Sequence, residues 1–155
     1  CAAMFLFCLM SRAGNLFIRK EHGITLGLSQ KDVLLQGDML LVTFRRTKTI
    51  QFGRRVLQIP LLTIPGSSLF PVAIYKRMIQ LVPANPSEPL FMFRCQGLAD
   101  PLSKKAFPGA FGQGRHPFSG EVFVPLFSER GASWAFSIGV PGELIQLYGD
   151  WASEC

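Results

Sequence analysis

No apolar run in this 155-residue sequence is long enough to cross a bilayer. The longest, CAAMFLFCLM, covers residues 1–10, whereas a membrane-spanning helix needs roughly 20 apolar residues. No basic segment and no initiator methionine precede the run, so it does not fit a secretory signal peptide. We expect residues 1–11 to form a buried helix, and residues 1–155 to be a single, incomplete domain of a longer protein.

The motifs of several common enzyme sites are missing as well. The four cysteines, at positions 1, 8, 95 and 155, lack the close spacing of a zinc or redox site, which favours reduced thiols in an intracellular protein. His22 and His116 lack metal-ligand spacing, and there is no Gly-rich phosphate loop and no Gly-x-Ser-x-Gly motif. We therefore predict no metal, no other cofactor, no small-molecule substrate and no membrane partner.

Charge is distributed unevenly along the chain. Residues 1–120 contain 15 Lys and Arg against 5 Asp and Glu, a net charge of +10. Residues 121–155 contain Arg130 against five acidic residues, a net charge of −4. A basic body of this kind is typical of proteins that bind polyanions, nucleic acids above all. The alternative is a basic protein whose charge serves only its solubility.

The apolar patterning predicts an α+β fold, mostly α, with a small antiparallel β-sheet of two or three strands. SQKDVLL is a polar turn followed by the start of a strand, and QGD is a turn signal before the β-rich segment MLLVTFRR. Pro60 near the end of VLQIPLL places that further strand at a sheet edge. Apolar residues at helical spacing follow in PVAIYKRMIQLV. The predicted elements are strands at 39–46 and 56–62, a helix at 71–82, a loop at 83–89, and short strands at 90–93 and 121–127.

Two short helices are predicted at the C-terminal end, in GASWAFSI and PGELIQLYGD. Gly139 closes the first helix, and Pro141 opens the second at its first helical position. The spacing of Ala135, Gly139 and Ile145 is that of a helix-turn-helix, but the second helix has two acids and no Lys or Arg. Because it would repel phosphates, we expect a packing role rather than a recognition helix.

A basic cluster follows the first strong strand. Residues 45–55 contain five cations and no acid: Arg45, Arg46, Lys48, Arg54 and Arg55. A hairpin would gather these charges at one end of the sheet, where they could contact a phosphate backbone. The alternative is an ordinary solvated hairpin end.

Three segments, in order, resemble the catalytic domain of tyrosine recombinases, and most closely those of eukaryotic mobile elements of the DIRS and Crypton kind. They are FLFCLMSRAGNL, VTFRRTKTIQFGRRVLQIPLLTIPGSSLFPV and GASWAFSIGVPGELIQLYGDW. The resemblance implies DNA strand cleavage and rejoining without a metal or a nucleotide. A tyrosine attacks the phosphodiester, two arginines and a histidine stabilise the developing negative charge, and a lysine protonates the leaving oxygen.

The resemblance assigns a set of site residues position by position. Arg12 matches the first arginine of the family, and Lys48 matches its hairpin lysine. Arg130 is the arginine closest to the position of the family's second arginine, from which it is displaced by one residue. Trp151 lies in the region where the family places a histidine or tryptophan near the phosphate. Packing roles for Arg12 and Trp151 are the alternatives.

The second arginine motif departs from the family pattern. Ser128 and Glu129 stand where arginines belong, Pro125 stands where the histidine belongs, and His116 is only a faint echo of that histidine. We expect Tyr75 and Tyr148 to be core residues, with the nucleophilic tyrosine of the family beyond Cys155.

The resemblance therefore implies a truncated recombinase-like domain without strand-transfer activity, from a decayed copy of a mobile-element gene or from a partial gene model. DNA is the expected partner, with self-association on DNA and nuclear localisation as further expectations. The other interpretation is a non-enzymatic basic module that binds nucleic acid or a protein partner through the hairpin.

Overall fold

The α1 helix (Ala2–Leu9) is apolar on every side and forms the centre of the fold. We describe a computed structural model of the chain, which covers residues 1–21, 24–47, 49–50, 55–63, 66, 70–95, 97–107 and 125–151. Phe5, Leu6 and Leu9 have no solvent-exposed surface. Met10 then ends the helix in the left-handed conformation, with a φ of 50°.

Four further helices accompany α1 in the described part of the chain. Short α2 follows almost directly, α3 precedes the second half of the chain, and α4 and α5 form a pair at its end. Each of these helices is too short or too polar to reach across a lipid bilayer. Their bounds are Ala13–Leu16 for α2, Pro71–Leu81 for α3, Pro125–Ser137 for α4 and Gly142–Gly149 for α5.

The described strands form three small antiparallel sheets. The largest has the order β3-β4-β5 and a tight turn at Gly37, while β1 pairs with β2 and β6 pairs with β7. The β5 strand is an edge, which tolerates Pro60 because an outer strand leaves one row of backbone groups unpaired. The strands are β1 (Arg19–Glu21), β2 (Ile24–Leu26), β3 (Val33–Gln36), β4 (Met39–Phe44), β5 (Leu57–Leu62), β6 (Met92–Cys95) and β7 (Leu98–Pro101).

The core joins α1 to the three-stranded sheet and to α3. Phe5 packs edge-on against Phe91, with ring centroids 5.5 Å apart, and contacts Tyr75 of α3 at 6.3 Å. From the sheet, Leu40 and Val42 of β4 enter the same cluster with no exposed surface. This arrangement fixes the sheet, and therefore the end of its β4–β5 hairpin, relative to α1.

A second, smaller cluster holds the C-terminal helices together. Ala135 of α4 and Ile145 of α5 are both buried in it, together with Met10 from the end of α1. The helix-turn-helix spacing seen in the sequence is therefore a packing arrangement, as expected. Gly139 has a φ of 86° after the end of α4, which confirms its predicted closing role.

Several sequence-based boundaries need correction. The strand predicted at 121–127 is wrong over its described part, since α4 begins at Pro125 and continues through Ser137 into the segment predicted as helical. Pro141 is the residue before the first turn of α5 rather than the first residue within it. The short strand predicted at 90–93 lies at Met92–Cys95, and β7 occupies part of 95–120, where no element was predicted.

Candidate nucleic-acid interface

Three described cations lie at one end of the β4–β5 hairpin. Arg45 and Arg46 directly follow β4, and Arg55 lies two residues before β5 begins. Phe44 pairs with Leu57 at this end of the ladder, so the three arginines belong to neighbouring chain segments. All three are exposed. Lys48 and Arg54, the other two cations predicted for this surface, lie outside the described residues.

Arg45 is held by a carboxylate from outside the basic cluster. Its Nε donates to Asp32 Oδ1 at 3.2 Å, and the Asp32 side chain is only 9% exposed. The other oxygen of Asp32 accepts the backbone N–H and the hydroxyl of Ser29, which caps a 3-10 turn at Gln30–Asp32. The Arg45 side chain is 61% exposed, and Asp32 partly balances its charge.

Arg55 is also paired with an acid distant in sequence. Its Nη2 donates to Asp150 Oδ1 at 2.5 Å, directly after α5. Asp150 Oδ2 accepts the hydroxyls of Thr47 and Thr49, which belong to the hairpin loop. Within the described chain, Arg46 is the cation of this hairpin without an acidic partner.

Arg12 lies in the short connection between α1 and α2. The backbone N–H of Asn15 donates a hydrogen bond to the Arg12 carbonyl at 2.8 Å. The side-chain amide of Asn15 donates a second hydrogen bond to the hydroxyl of buried Ser11 at 3.3 Å. These bonds fix the backbone of the turn, while the Arg12 side chain is exposed. Among the described residues, no carboxylate pairs with it.

Arg130 lies on α4 at a point where that helix touches the α1 backbone. A Cβ built on the neighbouring Gly131 would lie well inside 3.0 Å of the Phe7 carbonyl oxygen and 3.3 Å from Met10 Cγ. Only glycine permits this approach. The contact brings the segment of Arg130 next to the end of α1, from which Arg12 follows. Arg130 is exposed, as is Glu129, whereas Ser128 is buried.

The aromatic candidates lie in packed surroundings. Trp151 is half-buried and packs against the cluster formed by Met10, Ala135 and Ile145. Tyr148 is half-buried beside both clusters. Tyr75 is 6% exposed, and burial raises the pKa of its hydroxyl, which disfavours the phenolate that a nucleophile needs. His116 lies outside the described residues.

Comparisons with known proteins give one informative likeness. No protein-family model matches the sequence, and no curated protein is similar to it. A solved structure is similar, that of the XerH site-specific recombinase bound to its difH substrate in a pre-cleavage complex. The TM-score is 0.57 at 13% identity, over 98% of this chain and 39% of the recombinase chain.

The fold is similar to that of a tyrosine recombinase catalytic domain. This confirms the predicted α+β class, and the three-stranded sheet β3-β4-β5 matches the predicted small antiparallel sheet. The two-stranded sheets β1-β2 and β6-β7 were not predicted. At 13% identity the likeness is one of fold, and the chain spans 39% of the length of the recombinase chain it resembles. The roles of individual residues therefore depend on their surroundings in this chain.

Two buried carboxylates of the recombinase-like fold were missed by the sequence analysis. Asp32 and Asp150 lie outside the basic segment 45–55, yet each pairs with one of its arginines. The sequence did indicate that Asp150 needs a cationic partner, because an acid at the C-terminal end of a helix is repelled by the helix dipole. Which cation it would be could not be read from the pattern.

Proposed function

We propose that this chain is a DNA-binding domain of the tyrosine recombinase lineage, from a eukaryotic mobile element of the DIRS or Crypton kind. The observation that carries the proposal is the recombinase-like fold over 98% of the chain. The three sequence segments that resemble the family support the proposed lineage, that of the DIRS or Crypton elements. A nuclear location and self-association on DNA follow from that lineage as parts of the same proposal.

The proposed DNA contacts are Arg46 at the hairpin end and the exposed cations near the α1–α4 contact. Arg46 and Arg12 have no acidic partner among the described residues, so neither has to give up an ion pair to meet a phosphate. Arg130 supplies a further exposed cation close to the end of α1. Lys48 and Arg54 are proposed as further DNA contacts on the basis of the sequence alone, since both lie outside the described residues. Trp151 would contribute by packing against the second cluster.

We further propose that the chain binds DNA without transferring strands. The replacements at Ser128 and Glu129 remove the arginine pattern of the family, and Tyr75 and Tyr148 lie in packed surroundings. Incubation with a nicked duplex should therefore leave no covalent protein–DNA adduct on a denaturing gel. An adduct that disappears in Tyr148→Phe would contradict this part of the proposal.

DNA binding is tested by fluorescence anisotropy with a labelled duplex at a series of salt concentrations. Each phosphate contact that is lost reduces the slope of log K against log salt by about 0.9. We expect Arg46→Gln to reduce the slope by about this amount and Arg46→Lys to preserve it, because lysine keeps the charge. Lys104→Gln, in the exposed turn after β7, serves as a second control. Affinity that is absent at low salt, or that does not respond to salt, would refute the proposed function.

A further inference from the structure

Asp150 accepts hydrogen bonds from three side chains of one distant segment. The hydroxyls of Thr47 and Thr49 donate to its Oδ2, and the Arg55 guanidinium donates to its Oδ1 at 2.5 Å. All three donors lie 95 to 103 residues away in sequence. The Asp150 side chain is 4% exposed. A single carboxylate thus ties the end of α5 to the loop between β4 and β5.

The position of this carboxylate is unfavourable unless it is compensated. Asp150 follows the C-terminal end of α5, where the helix dipole repels negative charge, and it has a φ of 51°. A buried charge also loses its hydration, and it is tolerated only where donors replace the lost water. Arg55 and the two threonine hydroxyls provide that compensation.

The loop itself is organised around the same donors. Thr47 Oγ1 accepts the backbone N–H of Thr49 at 3.2 Å and that of Ile50 at 2.9 Å, while Thr47 N–H donates to the Ile50 carbonyl at 3.1 Å. Ile50 is buried in the main core. The Thr47 hydroxyl therefore both closes the turn and donates to Asp150, so that loop conformation and carboxylate are coupled.

We propose that Asp150 is a positioning residue for the DNA-binding hairpin: it fixes the loop containing Thr47 and Thr49, and it keeps Arg55 from acting as a phosphate ligand. This inference rests on the proposed function, since it assigns one cation of the basic cluster to structure and leaves Arg46 for DNA. Lys48 lies outside the described residues, so the proposal concerns Thr47, Thr49 and Arg55.

The first test needs no DNA. Amide hydrogen exchange is measured by NMR for Thr49 and Ile50 and for the β3–β4 pairs in Asp150→Asn. We expect exchange at Thr49 and Ile50 to rise about tenfold or more, the scale of losing a hydrogen bond to a charged group, with β3 and β4 unchanged. Unchanged exchange at both loop amides would overturn the proposal.

A matched control and a milder variant separate a local effect from general destabilisation. Asp32→Asn removes the other buried carboxylate that pairs with an arginine of the hairpin, and it should leave exchange at Thr49 and Ile50 as in the parent. Thr49→Val removes one donor to Asp150 while keeping the shape of the side chain. It should raise exchange at Ile50, whereas Thr49→Ser should behave like the parent. Equal effects of Thr49→Val and Thr49→Ser would count against the proposal.

The second test uses the salt dependence of DNA binding. Arg55→Gln should leave the slope of log K against log salt unchanged, because Asp150 already neutralises this guanidinium, whereas Arg46→Gln should reduce it by about 0.9. In the Asp150→Asn background, Arg55 is released, and removing it should then reduce the slope by about 0.9. An equal reduction for Arg55→Gln and Arg46→Gln in the parent would overturn the proposal. If the parent does not bind DNA at all, the proposed function fails while the exchange test still decides the role of Asp150 in the loop.

Discussion

The contact between α1 and α4 depends on the absence of a side chain at Gly131. In Gly131→Ala, the new methyl group would lie well inside 3.0 Å of the Phe7 carbonyl oxygen, 3.0 Å from the Phe7 carbonyl carbon and 3.3 Å from Met10 Cγ. The first two atoms belong to the backbone of α1, so they cannot turn aside as a flexible side chain could. The two helices would have to separate.

The cost follows from two opposing effects. Overpacking of a well-packed contact typically destabilises by about 1–3 kcal/mol, and a clash with backbone belongs at the upper end of that range. Alanine favours a helix over glycine by about 1 kcal/mol, which offsets part of the loss. We therefore expect Gly131→Ala to reduce the free energy of unfolding by about 2 kcal/mol.

Urea denaturation followed by circular dichroism measures this change. With a slope of about 1–3 kcal/mol/M, the midpoint should move down by about 1 M. Gly142→Ala is the matched control, because Gly142 is the first residue of α5 and no atom lies within 4 Å of its added methyl group. It should leave the midpoint unchanged or raise it. If Gly131→Ala is as stable as Gly142→Ala, the close approach of α1 and α4 is wrong.

Two further predictions concern α1. Burial raises the pKa of the Cys8 thiol from its ordinary 9.0 to about 11, so the folded state holds this proton more tightly than the unfolded state. Stability should therefore fall as the pH rises from about 9 to 11. Urea denaturation across this range should show a smaller fall in Cys8→Ala, and an identical fall would contradict a raised pKa at Cys8. Phe5→Ala should cost about 3–5 kcal/mol in urea denaturation because the side chain is fully buried, whereas Phe136→Ala, at 71% exposure, should change stability by less than about 0.5 kcal/mol. Similar losses for the two phenylalanine variants would place Phe5 outside the core.

The local elements of this protein were largely predictable from its sequence. The continuous apolar run identified α1 as a buried helix, and the QGD turn with its flanking apolar segments identified the β3–β4 hairpin. Pro60 marked an edge strand, and helical spacing identified α3. These features depend on periodicity and turn chemistry within about ten residues, which the sequence displays directly.

The prediction of a strand at 121–127 shows where local composition fails. Residues 125–127 carry apolar side chains that suit either a strand or a buried helix, and in a short segment periodicity does not distinguish the two. The α4 helix extends back to Pro125 and packs along α1, with Phe7 and Trp134 rings 5.9 Å apart. Tertiary packing therefore overrides the local preference at this end of the helix.

The sequence by itself determined the basic body, the hairpin with its cluster of arginines, and the helices that build the core, because each of these is written in neighbouring residues. Only the tertiary structure decided which of those arginines form ion pairs with acidic side chains. Asp32 and Asp150 meet Arg45 and Arg55 across 13 and 95 residues of chain, and Gly131 meets Phe7 across more than a hundred. Such pairings arise from the way elements pack on one another, and the pattern of residues along the chain does not specify them.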